Sequence, residues 1–193
     1  FLDLTSIAFG TPIDNTWLGK GQTYRDFSTS FYWVYWTKQF KKAGLSYLLP
    51  INHLSEAGAL LVCKQSQYLD VVNSCLRGHE GRWCGRCWKC FHKNGPLGRD
   101  FDPYSKEVTT FLHAPHLRTA QHALWALKVQ GLEHLAPHLK PHIAEDLDWW
   151  QQAYPVGLEL IDEPLRNHLR SRTDDYLQWM DEPYTLETID LDV

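Results

Sequence analysis

Hydrophobic and polar positions follow two different patterns along the chain, and the change falls near residue 100. In the first part, short β-prone runs alternate with longer apolar segments. They predict strands at 7–9, 45–50 and 68–74, and helices at 28–44 and 55–65. The alternation of strands and helices is typical of an α/β sheet with crossover helices. The aromatic segment 28–44 is apolar on nearly every side, so we expect a buried helix there, with a strand as the alternative.

The second part is predicted to be helical. Apolar residues share one face in each of three segments: Val108, Phe111 and Leu112; Leu117, Ala120, Leu124 and Leu127, with Gly131 as the stop; and Leu135, Leu139, Ile143 and Leu147, interrupted by Pro137 and Pro141. A last helix is expected over 164–180, followed by a loose acidic tail. These patterns predict an α/β domain over 1–95, a linker at 96–103 and an α-helical extension over 104–193 with an acidic tail.

Charge and composition narrow the function classes. A net charge of −4 argues against a general nucleic-acid binder, because such modules usually carry a basic excess. No apolar run approaches the ~20 residues that span a bilayer, so we expect a cytoplasmic protein with no membrane partner. Met180 is the only methionine and the chain starts at Phe1, so we expect it to be the C-terminal portion of a longer polypeptide.

Four of the five cysteines lie close together in the chain. Their spacing is C-x8-C-x2-C-x2-C, formed by Cys75, Cys84, Cys87 and Cys90. Four thiolates in tight turns favour a closed structural zinc site, and Arg82, Arg86 and Lys89 would offset its charge.

Other chemistries remain alternatives for this cluster. The C-x2-C-x2-C run also occurs in iron–sulfur proteins, although their fourth cysteine usually lies downstream and precedes a proline. Disulfides are typical of small secreted domains, which this chain does not resemble. His79 or His92 is an alternative to one of the cysteines. Cys63, on an apolar helix face, is expected to be a core thiol.

The order of features resembles a known family. The chain contains, in order, a strand ending at Gly10, a polar loop, an aromatic helix, "PINHLSEAGALLV" and "SC-x8-CGRCWKC". This order is similar to that of the 7-cyano-7-deazaguanine synthases, which belong to the PP-loop ATP pyrophosphatases. The resemblance covers roughly residues 6–95. It implies the C-terminal part of a Rossmann-like PP-loop sheet (adenine nucleotide α-hydrolase-like) with a zinc-binding loop.

The resemblance also implies an activity and a set of residues. The expected function is that of an ATP-dependent ligase or synthase, which activates its substrate as an acyl-adenylate for attack by ammonia, an amine or another nucleophile. The four cysteines would bind structural Zn²⁺, and the complete enzyme would need ATP and Mg²⁺. By this resemblance, Asp14, Tyr24 and Arg25 would lie where the family contacts its small-molecule substrate. A surface salt bridge is the alternative interpretation of the carboxylate and the guanidinium.

The sequence departs from the family in one decisive respect. The phosphate-binding S-G-G-x-D-S loop does not occur in this chain, and "GKGQT" at 19–23 is not a Walker loop. We therefore expect a missing N-terminal half or a partner chain to supply that loop, and a homodimer is an alternative arrangement. A muropeptide-precursor epimerase, which also uses ATP, and a zinc-containing interaction module without catalysis are the alternative functions. His134, His138 and His142 are spaced like helical metal ligands, but a polar surface stripe is favoured because prolines interrupt the segment.

Overall fold

The computed structural model describes residues 4–75, 77–143, 146–191 and 193. Its strands are β1 (Ser6–Ala8), β2 (Leu18–Gly19), β3 (Thr23–Tyr24) and β4 (Ser46–Leu48). Its α-helices are α1 (Phe31–Lys42), α2 (Glu56–Gln65), α3 (Lys106–Leu112), α4 (Ala120–Gln130), α5 (Lys140–Ile143) and α6 (Glu163–Asp174). Short 3₁₀ turns connect many of these elements, and one π-helical turn spans Cys90–Asn94.

Two of the predicted strands are confirmed and pair with each other. β1 and β4 run parallel, with Ser6 opposite Ser46 and Ala8 opposite Leu48. A second small sheet, which the sequence pattern did not predict, joins β2 and β3 in antiparallel register. The described residues thus form a mixed helix-and-strand fold with few strands, and the larger Rossmann-like sheet stays a prediction.

The predicted third strand at 68–74 is wrong. The segment forms a 3₁₀ turn at Leu69–Val71 and then runs in extended backbone towards the cysteines. The guanidinium of Arg99 donates to the carbonyl oxygen of Val72 at 2.6 Å and also to that of Leu69. A side chain therefore binds carbonyl groups that a neighbouring strand would otherwise bind.

The aromatic helix is confirmed as α1, but the expectation that it is buried is wrong. Ser30 caps its first turn, and the chain leaves the helix at Gly44, whose φ is 75°. None of its residues is buried, and Phe31 is 80% exposed. Only the side that carries Trp33 and Phe40 packs against the core. The remaining aromatic side chains therefore form an exposed apolar face.

The helices after residue 100 surround a core shared by both parts of the chain. α4 is the most buried helix, and it ends at Gly131 with a φ of 64°, as predicted. Trp17 and Phe27, from the first part, belong to the same hydrophobic cluster as Trp150 and Tyr154 from the second. The division into domain, linker and extension stays a prediction about chain organisation, while packing joins its two larger parts.

The last helix and the tail differ from expectation. α6 ends at Asp174 instead of continuing to Met180, because the backbone of Ala153 hydrogen-bonds to Gln178 and Met180. The tail is not loose. Leu186 is fully buried, and residues 189–191 hydrogen-bond to the backbone of residues 22–24. Apolar residues placed between the acidic ones explain this packing.

Within the described ranges, no helix combines the length and the hydropathy that a membrane crossing requires.

Candidate metal centre and adjoining cleft

The four clustered cysteines meet at one point in the structure. All four sulfurs lie within 4.8 Å of one another. The Sγ–Sγ distances are 3.6 Å for Cys87–Cys90, 3.7 Å for Cys75–Cys87 and 3.8 Å for Cys84–Cys90. A tetrahedral site with metal–sulfur bonds near 2.3 Å separates its sulfurs by about 3.8 Å, whereas a disulfide needs about 2.05 Å. The cluster therefore can hold a metal ion and fits Zn²⁺, and all five cysteines are free of disulfides.

Local backbone geometry directs the four sulfurs inward. Cys75 ends the extended segment, where its N–H donates to Asn73 Oδ1 at 2.9 Å. Gly85 takes a φ of 69°, a conformation that glycine adopts without steric penalty, and it turns the chain between Cys84 and Cys87. The π-helical turn then starts at Cys90, the last cysteine.

The cysteine loop is fastened to the segment that follows it. Trp83 Nε1 donates to the carbonyl oxygen of Asp100 at 2.9 Å, and Asp102 N–H donates to that of Gly85 at 2.6 Å. The Ser105 hydroxyl donates to the carbonyl oxygen of Arg86 at 2.7 Å. Residues 100–105 thus support the loop from outside, so α3, which begins directly afterwards, is positioned with it.

Burial and hydrogen bonding act on the cysteine thiols in opposite directions. Burial raises the pKa of Cys87 to about 12 and also raises the pKa of Cys90. Burial also opposes ionisation of Cys75, but hydrogen bonds from the backbone N–H groups of Cys84 and Arg77 outweigh it and lower the pKa to about 6. A bound cation would supply the charge that buried thiolates require.

The basic residues and histidines near the cluster take different positions. Arg82 and Arg86 are exposed, while Lys89 is half-buried with its Nζ over the Trp88 ring. The His79 side chain is 93% exposed and lies beside Glu80. His92 is fully buried, as part of a different cluster described below.

A cleft of about 300 Å³ adjoins the cysteine centre. It opens beyond the carboxyl ends of β1 and β4, the edge at which α/β proteins usually bind ligands. Its walls include Gly10, Glu56, Cys63, Asn73, Lys93 and Arg99. Cys63 is half-buried and faces this cleft, so the expectation of a core thiol is corrected.

The three residues suggested for substrate contact are not brought together. Asp14 is buried and accepts the N–H of Glu56 at 2.8 Å. The Tyr24 hydroxyl lies 3.5 Å from that of Tyr154. Arg25 donates to carbonyl oxygens of its own loop, with Nε 2.6 Å from that of Thr16. Their role in binding substrate stays a prediction.

Two carboxyl groups and one lysine meet at the first turn of α2. Lys93 Nζ lies 3.7 Å from Glu56 Oε1, and Asp14 Oδ1 has no hydrogen-bond partner among the described residues. Burial, reinforced by the negative charge of Glu56, raises the pKa of Asp14 to about 8. The Asp14 carboxyl is therefore largely protonated near neutral pH, and Lys93 pairs with the Glu56 carboxylate alone.

A second group of possible metal ligands was not predicted from the sequence. Glu56, His92 and His122 each place a ligand atom within 4.8 Å of the others. The three residues lie far apart in the chain and match no spacing motif, so only the tertiary structure reveals their proximity. Burial lowers the pKa of both histidines, which favours the neutral form that binds metals.

The regularly spaced histidines form no comparable group. His134 Nε2 lies 3.2 Å from the Tyr104 hydroxyl, and the ring of His138 packs against His113. Among the described residues, the two groups close enough to hold a metal are the four cysteines and the Glu56–His92–His122 cluster.

Comparison with known proteins identifies a partial match. The model of a "Family of unknown function (DUF6395)" matches residues 35–96, a segment that includes all four clustered cysteines as well as Glu56 and His92. No curated protein and no solved structure matches the chain.

Proposed function

We propose that the protein is a zinc protein in which Cys75, Cys84, Cys87 and Cys90 form a structural site. The observation that carries the proposal is the arrangement of the sulfurs. All four lie within 4.8 Å of one another, and three of the six Sγ–Sγ distances are 3.6–3.8 Å, close to the edge length of a tetrahedral four-thiolate site. Four protein ligands fill the coordination shell, so this metal holds loops together and activates no water.

The position of the cysteines gives the zinc a specific structural task. Cys75 directly follows residues 72–74, and Cys90 lies shortly before Lys93 and Asn94; both segments line the cleft. A metal that joins these cysteines fixes two walls of the cleft at once. The zinc would therefore act on ligand binding indirectly, by holding the wall residues in place.

We further propose that the cleft is the substrate side of an ATP-dependent adenylating enzyme of the PP-loop type. Its location beyond the carboxyl ends of parallel strands and the ammonium group of Lys93 in its wall support a small substrate with a carboxylate. Arg99 shapes the wall instead, because its guanidinium is bound to the carbonyl oxygens of Leu69 and Val72. The carboxylate would attack the α-phosphorus of ATP with Mg²⁺ and displace pyrophosphate. A nitrogen nucleophile would then attack the acyl carbon of the acyl-adenylate and displace AMP.

The phosphate-binding half would come from another segment or chain. Two features support this part of the proposal: β1 and β4 form a parallel sheet of two strands, and parallel sheets are usually covered on both faces. The exposed aromatic face of α1, which includes Phe31, Tyr32 and Tyr35, offers apolar surface beside that sheet. The same face favours a second candidate function, a zinc-containing interaction module without ATP chemistry.

Metal analysis tests the structural part. We expect purified protein to contain one equivalent of zinc at the cysteine site. The Cys87→Ser variant should lose this equivalent. Cys63→Ser, which changes the cysteine outside the cluster, is the matched control and should keep it. Full zinc content in Cys87→Ser, or an iron–sulfur absorption spectrum in the unmodified protein, would overturn the zinc assignment.

Turnover of ATP to AMP tests the catalytic part. This chain alone should show none, and the chain combined with its PP-loop half should show turnover that Lys93→Met reduces. Turnover by the isolated chain would contradict the division of labour between two halves. A combined preparation that binds through α1 but never forms AMP would favour the interaction module.

A further inference from the structure

We propose that Glu56, His92 and His122 form a second metal site, for a divalent first-row transition ion, between the cleft and the core. It is separate from the cysteine centre and uses nitrogen and oxygen ligands only. The proposal does not depend on the adenylating activity, and it assigns the protein a metal chemistry that a closed four-thiolate site does not provide.

Three different elements bring the ligands together. Glu56 lies in the first turn of α2, His92 in the π-helical turn after Cys90, and His122 in the first turns of α4. One ligand atom from each lies within 4.8 Å of the others, close enough for one ion to contact all three after small side-chain movements. The two imidazole rings are 4.9 Å apart at 69°, so neither ring stacks over the ligand atoms of the other.

The buried polar atoms of this cluster have unused bonding capacity. His92 is fully buried, and neither of its ring nitrogens has a hydrogen-bond partner among the described residues. His122 Nδ1 and Glu56 Oε2 are also buried without partners in the described chain. Unsatisfied polar atoms are rare in protein interiors, and several converging on one point indicate a missing ligand.

The orientation of His122 resembles that of metal-binding histidines. Its Nε2 lies 3.0 Å from the carbonyl oxygen of His92, and since a carbonyl only accepts, Nε2 must carry the hydrogen. This bond fixes the ring and leaves the lone pair on Nδ1, as expected for a ligand whose other nitrogen is held by the backbone. Nδ1 is therefore the nitrogen that can bind a cation. The contact with Glu56 Oε2, at 3.9 Å, is made by the protonated Nε2, so metal binding requires the Glu56 carboxylate to move towards Nδ1.

The neighbouring lysine does not account for the cluster. Lys93 Nζ approaches Glu56 Oε1 at 3.7 Å, but the other carboxylate oxygen, Oε2, faces the histidines and is 3.9 Å from His122 Nε2. The lysine therefore leaves one oxygen for a metal. It also gives neither ring nitrogen of His92 a partner.

The ligand set determines the class of ion and its reactivity. Two neutral imidazoles and one carboxylate suit Zn²⁺, Fe²⁺ or Co²⁺ more than Ca²⁺ or Mg²⁺, which prefer oxygen ligands only. Three protein ligands leave at least one coordination position for water or substrate. Glu56 also lines the cleft, so the site borders the cavity in which a small molecule would bind.

Metal counting on the full chain tests the proposal. Protein produced in medium supplemented with Co²⁺ should contain two metal equivalents, and only the cysteine-bound equivalent should give intense sulfur-to-cobalt charge-transfer absorption. Glu56→Gln and His122→Asn should each lower the count from two to one with that absorption unchanged. Cys87→Ser should remove the absorption and leave the other equivalent in place.

His53→Gln is the matched control, because His53 is another buried histidine with an unpartnered Nδ1 in the described chain but lies outside the cluster. It should keep both equivalents. If His122→Asn does not fold, Glu56→Gln decides the question, because glutamine has nearly the same shape as glutamate and the position lies at the wall of the cleft. The second site would be overturned if the unmodified protein contained one metal equivalent while its cysteine site was full. Two metal equivalents in folded Glu56→Gln would overturn it as well.

Discussion

At the scale of single residues, the loop between the first two clustered cysteines is tightly packed at one glycine. A Cβ added to Gly78 would lie 1.6 Å from the carbonyl oxygen of Arg82, a backbone atom that cannot rotate away. Gly78→Ala should therefore open the loop between Cys75 and Cys84. We expect a loss of about 3 kcal/mol or more in the free energy of unfolding, together with weaker zinc retention during chelator challenge.

Gly81 in the same loop provides the comparison. Its φ is 75°, but a Cβ there would meet no atom within 4 Å. Gly81→Ala should cost about 1 kcal/mol, from left-handed backbone strain alone, and should keep the zinc. Equal effects of the two substitutions on chelator resistance would contradict the assigned role of Gly78.

His53 should make stability depend on pH. Its Nε2 lies 2.9 Å from Thr173 Oγ1. The Thr173 hydroxyl donates its hydrogen to the carbonyl oxygen of Leu169, so Nε2 of His53 is the donor to Oγ1. The buried Nδ1 of His53 has no hydrogen-bond partner among the described residues. Burial, with a smaller contribution from the Arg170 charge, lowers the pKa of His53 from 6.5 to about 4. The folded protein thus takes up this proton at lower pH than the unfolded chain.

The contribution of neutral His53 to the free energy of unfolding should be fully present above pH 6.5. It should decline as the pH falls towards 4, by about 3 kcal/mol in total. His53→Gln keeps a donor for Thr173 but does not titrate. Denaturant unfolding at several pH values should therefore show a shallower decline for His53→Gln than for the unmodified protein. Parallel curves would show that His53 does not titrate as inferred.

The residue scale also shows what spacing can and cannot predict. The four cysteines are close in the chain, so short turns alone nearly determine their meeting, and the structure brings them together as expected. Glu56, His92 and His122 meet only because α2, the π-helical turn and α4 pack side by side. No local pattern encodes that packing, which is why only one of the two clusters was predicted.

At the scale of elements, two capping serines have unequal importance. The Ser55 hydroxyl accepts the N–H of Gly58 at 2.9 Å and donates to the carbonyl oxygen of Trp150, in the buried core. The Ser30 hydroxyl accepts from Trp33 N–H at 3.2 Å and donates to the carbonyl oxygen of Phe27, in a half-buried position. The two serines make the same pair of contacts at different depths.

We expect Ser55→Ala to destabilise the fold by about 2 kcal/mol and Ser30→Ala by about 0.5–1 kcal/mol, because only the first leaves a fully buried acceptor without its donor. Urea unfolding of both variants measures the difference. A larger loss for Ser30→Ala would indicate that α1 contributes more to stability than its exposure suggests.

Helix ends that local chemistry marks were predicted well, whereas the end of the last helix was not. Ser30 and Ser55 cap the helices predicted from 28 and 55, and Gly131 ends α4 as expected. The exposure of α1 depends instead on which surfaces the chain places beside it. A contact with a distant residue also explains why the strand predicted at 68–74 is wrong, because Arg99 binds the backbone of that segment.

At the scale of the whole molecule, the four cysteines and the main core form two clusters that are joined at Phe101. Cys75, Cys87 and Cys90 form a cluster of their own with Trp83 and Phe101, and Phe101 also packs against the large cluster that contains most of α4. Loss of zinc should therefore loosen one region without unfolding the protein. The region concerned includes the cleft walls, so local loosening would reach the proposed substrate site.

Hydrogen exchange of Cys87→Ser tests this separation. Amides of residues 82–102, such as Asp102 N–H bound to the carbonyl oxygen of Gly85, should exchange faster by on the order of tenfold or more. Amides of α4, which the core surrounds, should keep their protection, and Cys63→Ser should leave both regions unchanged. Faster exchange throughout the chain would mean that zinc supports the entire fold. Unchanged exchange in 82–102 would mean that no metal holds the loop, because the hydrogen bonds of that loop would then be sufficient without it.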